Sequence, residues 1–176
     1  MNSESCFKVS HVLGGLAISA SELGYRAQAL FAETLARLGA IVDDVARTGH
    51  PDVTARLLDA TLRIQVKATS QSTFAIAAAD LEGIRPRSTG EQGYLAILDL
   101  GAPVRWSLIE YARARVLLDQ VVPLAMIKVM SNRSFSQECT RAFVDMVLEN
   151  EASIAAFTFA LVRKRTLDDS RERNNN

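Results

Sequence analysis

His50-Pro51-Asp52 and Ile64-Gln65-Val66-Lys67 bring together residue types that can do chemistry. Asp52 and Gln65 lie thirteen residues apart, and the chain between them reads as a hairpin. Val53 to Leu58 and Leu62 to Ala68 have strand character, and Asp59 and Ala60 read as the turn. A two-residue loop at 59 and 60 pairs Leu58 with Thr61, so paired numbers sum to 119. Asp52 then stands opposite Lys67, with Gln65 diagonal to it. Side chains alternate across a strand, so Arg63, Gln65 and Lys67 share one face and Ile64, Val66 and Ala68 the other. A carboxylate, an amide oxygen and an ammonium meet at one end of the hairpin. A loop one residue longer or shorter would flip one strand and disperse them.

Such a set can seat a divalent cation and a phosphate. Magnesium prefers hard oxygen ligands and keeps several waters, so it needs few protein groups. Asp52 would supply a charged oxygen and Gln65 a neutral one, with Mn²⁺ as the alternative ion. Lys67 would orient or deprotonate an attacking water and offset charge on the phosphate. Each residue also has a plainer use. Pro-Asp commonly caps a turn, and a strand lysine or glutamine is often only solvated. His50, in the adjoining loop, could contact phosphate or act as a base, though a loop histidine needs no function. Asp43 and Asp44 could approach the same cation, or simply mark a solvated strand end.

Pro51-Asp52 followed by Gln65-Val66-Lys67 resembles the core of the PD-(D/E)XK nuclease superfamily, in the Q-x-K form found in restriction-type and homing-type branches. The segment before it resembles the helix that opens many members. Ala27-Gln28-Ala29-Leu30-Phe31-Ala32-Glu33-Thr34-Leu35-Ala36-Arg37-Leu38-Gly39 follows that spacing, with Gln28 where the family places a glutamate. Glu33 lies more than a turn further on, about 500° at ~100° per residue, and faces elsewhere. The resemblance covers roughly residues 20 to 117 and implies three things. Asp52, Gln65 and Lys67 would be catalytic. Asp52, Gln65 and the Val66 carbonyl would bind the metal, with Gln28 and His50 as accessory residues. The reaction would be Mg²⁺-dependent hydrolysis of DNA phosphodiester bonds. Glutamines at 28 and 65 leave one strong anion, so metal affinity should be weak.

Composition sets limits on this reading. The 176 residues suffice for one domain with a real core, or a domain with a helical appendage. Formal charge is zero, and this weighs against strong non-specific binding to nucleic acid while permitting a local basic face. Arg85, Arg87, Arg105, Arg113 and Arg115 could line a DNA path, and Arg163-Lys164-Arg165 is a basic run. Cys6 and Cys139 form no C-x-x-C pair, and a reducing cytoplasm is the default. Val12 to Ala20 is apolar but lacks a basic start and is too short to span a bilayer, so no membrane association is expected.

The positioning elements follow from periodicity. A helix runs from Ser19 or Ser21 to about Leu38 and ends at Gly39. Ala40 to Ala46 is a strand, the hairpin follows, and Asp80 to Ile84 is a short helix. Tyr94 to Leu100 is an apolar, central strand and Val104 to Leu108 returns beside it. Ile109 to Leu118 reads as helical, and Ser134-x-x-Gln137 as a capping box for a further helix. Phe143, Met146, Val147, Ile154, Phe157 and Leu161 form an apolar stripe that must be covered, by the sheet or by a second copy.

The expected fold is α/β: a helix, a mixed sheet of four or five strands, flanking helices and a C-terminal helical extension. Residues 1–118 would form the nuclease-like core. Residues 119–166 would be an extension packed on that core or on a homodimer partner, and 167–176 a disordered tail. The expected function is that of a metal-dependent DNA endonuclease. The alternative is a catalytically decayed nuclease fold that binds DNA or protein.

Overall fold

The structure, a computed structural model, describes residues 20–45, 51–101 and 103–149. Its first helix, α1 (Ala20–Arg37), places Ala27, Phe31, Leu35 and neighbouring apolar residues on one stripe. Gly39 ends it with φ 86°. This lets Gly39 N–H donate to Ala36 and Ala40 N–H to Leu35, both at 3.0 Å, which satisfies the last carbonyls.

Three antiparallel strands follow: β1 (Ile41–Val45), β2 (Val53–Leu57) and β3 (Ala60–Thr69). A crossover carries β4 (Thr73–Ala75) and the one-turn helix α2 (Ala78–Glu82), and leads to β5 (Glu91–Asp99), parallel to β3. β6 (Arg105–Glu110) returns antiparallel to β5, giving a mixed five-stranded sheet of order β1-β2-β3-β5-β6. Then come α3 (Tyr111–Ala114), a 3-10 turn (Arg115–Leu117), β7 (Val121–Pro123) paired with β4, α4 (Leu124–Met130) and α5 (Arg133–Glu149).

Each face of the sheet is covered. On one, Phe31 and Leu35 of α1 and Phe143, Val144 and Val147 of α5 pack on Ile64, Val66, Ala96 and Trp106. The rings of Phe31 and Trp106 are 4.6 Å apart, and those of Trp106 and Phe143 5.8 Å. On the other, Ile76, Leu81, Ile84, Leu117 and Ile127 pack on Leu95, Ile97 and Ile109. β5 is buried on both faces, as its apolar run requires. No helix among the described residues is long and apolar enough to cross a membrane.

Four local expectations are corrected. The hairpin loop is Leu58-Asp59, with Leu57 paired to Ala60, so paired numbers sum to 117 rather than 119. Leu58 adopts φ 54°, a conformation that sequence alone would not assign to leucine. Ile109 and Glu110 belong to β6, not to a helix. α5 is capped by Asn132, whose Oδ1 accepts from Phe135 N–H at 3.2 Å, two residues before the proposed Ser134 cap. Finally, Phe143, Met146 and Val147 are buried in their own chain, so this part of the stripe makes no case for a second copy. Ile154, Phe157 and Leu161 lie outside the described residues, as does the tail.

The crossover is clamped to the sheet near Gly83 and Ile84. Arg63 Nε and Nη2 both donate to the Gly83 carbonyl, at 3.1 and 2.9 Å. The next carbonyl, Ile84, passes so close over Gly93 that any Cβ there would collide with it. Gly93→Ala should therefore destabilise the protein by about 1–3 kcal/mol. Gly90→Ala, where a Cβ meets nothing within 4 Å, should change it by less than about 0.5 kcal/mol. Urea unfolding of the two variants checks this.

Candidate active site on the hairpin

Continuing the observed register one residue past Val53 sets Asp52 opposite Gln65 instead of Lys67. Because the slide is of two residues, every side chain stays on its expected face. Ile64 and Val66 enter the core beneath α1, and Gln65 and Lys67 face the crossover.

Asp52 and Gln65 converge. Both are buried, at 4% and 3% exposure. Gln65 Nε2 donates to Asp52 Oδ2 at 2.5 Å, and Val66 N–H donates to the same oxygen at 2.8 Å. The reason is local. β2 begins only at Val53, so Asp52 supplies the acceptor that the ladder no longer offers to Val66. A strand residue turns its N–H and C=O to the same edge, so the Val66 carbonyl lies on the Asp52 side.

Lys67 shares the face but takes another partner. Its Nζ lies 2.6 Å from Asp80 Oδ1, and Asp80 Oδ2 accepts from Ala77 N–H at 3.1 Å. Asp80 is buried at the start of α2, held where Arg63 and Gly93 pin the crossover. The sequence marks Asp80 only as the start of a short helix. The available signal was an acid set between Ile76 and Leu81 in an otherwise apolar segment.

Gln28 is not joined to this group. α1 covers the Ile64 and Val66 face, opposite to that of Gln65. Gln28 Oε1 is covered and has no hydrogen-bond partner among the described residues, whereas Glu33 is exposed. His50 lies outside the described residues. Asp43 is held by Arg56 across the β1–β2 pair, at 2.9 Å, and both groups are solvent-facing. Trp106 is core. Arg113 donates to the Met130 carbonyl at 3.1 Å and Arg115 sits 5.8 Å over the Tyr111 ring. Burial, with Glu138 nearby, pushes the Cys139 thiol up to about 12, which removes it as a nucleophile.

Among the described residues no three His, Cys, Asp or Glu side chains gather as a metal cage. The oxygens that could hold magnesium are those of Asp52, the Gln65 amide and the Val66 carbonyl, completed by water. They fit as a one-anion site if the Gln65 amide turns over to present its oxygen. Comparison with known protein families and with curated proteins yields no match.

Asp52 also has a structural duty. Asp52→Ala leaves the Gln65 amide and the Val66 N–H buried without this acceptor and should cost about 2–4 kcal/mol. Asp52→Asn keeps an acceptor oxygen and should cost about half as much. An unchanged urea midpoint for the alanine variant would remove this account.

Proposed function

We propose that this chain is a PD-(D/E)XK-like nuclease that hydrolyses DNA phosphodiester bonds with Mg²⁺ or Mn²⁺. One observation carries the reading. A helix, three antiparallel strands and a parallel fourth frame a buried Asp52–Gln65 pair, with Lys67 two residues along on the same face. The order of elements and the spacing of the three side chains both accord with that superfamily's core.

A bound magnesium ion would supply Lewis-acid activation of the phosphate and of a water. The chain's own residues divide the remaining work. Asp52 provides the charged ligand, and Gln65 and the Val66 carbonyl provide neutral oxygens. The Lys67 ammonium offsets the charge that accumulates on phosphorus and orients the water. Asp80 fixes where that ammonium sits.

A second reading is favoured by one specific feature: Asp52 Oδ2 already accepts from two N–H donors, as in a residue retained for folding. On that view the fold binds DNA or protein without cutting. The two readings separate in a single assay. Supercoiled plasmid and oligonucleotides incubated with Mg²⁺ or Mn²⁺ should be cleaved by the wild type. Lys67→Ala should lower the rate by about 10²-fold or more, and a thermal melt checks that the variant, which leaves buried Asp80 without its cation, is still folded. Gln65→Glu, which adds a second anion, should tighten Mg²⁺ binding in calorimetry. DNA binding with neither cleavage nor Mg²⁺ uptake would establish the second reading.

A further inference from the structure

A groove of about 590 Å³ runs along the outer edge of β6, between α4 and α5. Arg105, Lys128 and Arg133 line it, and among the described residues no acid does. In a chain of zero net charge that is a local concentration of one sign. The remaining lining is rich in small hydroxyl residues, among them Ser107 and Ser131.

The cations are only partly committed. Asp99, buried at the end of β5, anchors one oxygen on Gly101 N–H at 2.9 Å and turns the other toward the groove's cations. Lys128 Nζ lies 2.9 Å from that oxygen, whereas Arg105 Nε reaches it only at 4.0 Å. Arg105 Nε is covered and has no hydrogen-bond partner among the described residues. A guanidinium with a covered, unmatched donor suits a planar or tetrahedral oxyanion with several acceptors. Arg133 is exposed at the first turn of α5 and completes a three-sided set.

We propose that this groove binds a backbone phosphate of a nucleic-acid strand, with Arg105, Lys128 and Arg133 as donors and Asp99 as the internal counter-ion that the phosphate displaces. The proposal rests on the reading above for the source of the phosphate. Register supports the connection. Asp99 pairs with Thr69, two residues beyond Lys67 and Ile97, on the same sheet face. Two strand residues span about 7 Å and the two strand spacings from β6 to β3 about 10 Å, so Lys67 lies roughly 12 Å from the β6 edge, about two nucleotides along a bound strand.

The test uses the full chain in EDTA, so that binding is separated from cleavage. Anisotropy of a labelled 12-nucleotide single strand is followed against salt, with inorganic pyrophosphate as competitor. Arg133→Ala and Arg105→Gln should each weaken binding several-fold and lower the log–log salt slope by about 1. Asp99→Asn should tighten binding, because the competing carboxylate is gone. Thermal melts establish folding. If Arg105→Gln does not fold, exposed Arg133→Ala carries the test alone.

An unchanged affinity and slope in folded Arg133→Ala would overturn the proposal. So would pyrophosphate binding that the oligonucleotide fails to compete, since the groove would then take free phosphate. Oligonucleotide binding that depends on these residues supports the groove even if no cleavage is found, in which case only the hydrolysis reading falls. Cleavage that persists with groove variants neutral removes the groove alone.

Discussion

Parallel pairing of β3 with β5 governs most of what this chain can do. Adjacent parallel strands cannot be joined by a tight turn, so a crossover must leave one end of the sheet and return at the other. Residues 70–90 are that crossover, and they bring the only acid that meets Lys67 among the described residues. Two contacts fix how they lie: the Arg63 fork on the Gly83 carbonyl, and the missing side chain at Gly93. Arg63, Lys67 and Gly93 thus belong to one device, since the same strand face that offers Lys67 also clamps the segment holding Asp80.

Two acids are buried on that face and both are paired, Asp80 with Lys67 and Asp99 with Lys128. Pairs of this kind add little net stability, because desolvation offsets most of the Coulomb attraction. Their effect is positional. Each lysine is half-exposed, and its head group is drawn to a fixed carboxylate rather than left to sweep through solvent. The remaining acid, Asp52, differs in kind: its Oδ2 accepts from two N–H groups, the Gln65 amide and the Val66 backbone.

The faces of the strands were legible in the sequence, and the register was not, for one reason. Alternation assigns Gln65 and Lys67 to one side and Ile64 and Val66 to the other. A slide of two residues leaves that assignment untouched. Only the turn decides between registers, and the turn placed leucine where Asp-Ala had the better local preference. The same limit hid Asp80. Its role depends on a contact between an early strand and a later crossover, which no local pattern encodes. By contrast α1 is legible nearly to its ends through Gly39, and β5 through its apolar run from Tyr94, though not its polar start at Glu91 to Gly93, which carries no local strand signal. The pattern marks helix α5 but points to Ser134 as its cap, because nothing local shows that Asn132 serves both as cap and as partner to β6.

That double duty explains why a groove exists at all. β6 is the last strand, and its outward N–H groups have no neighbouring strand to receive them. α5 covers the edge instead. Thr140 Oγ1 accepts from Trp106 N–H and Ser136 Oγ from Leu108 N–H, each at 3.0 Å. Asn132 N–H donates back to the Leu108 carbonyl at 2.8 Å. Serine and threonine four residues apart lie one above the other on a helix, so they meet alternate residues of the strand. Only short hydroxyl side chains let a helix approach a strand closely enough to replace a ladder. Ser136 and Thr140 also line the cleft where Arg105, Lys128 and Arg133 gather. The same small residues on α5 thus both protect the β6 edge and line the groove.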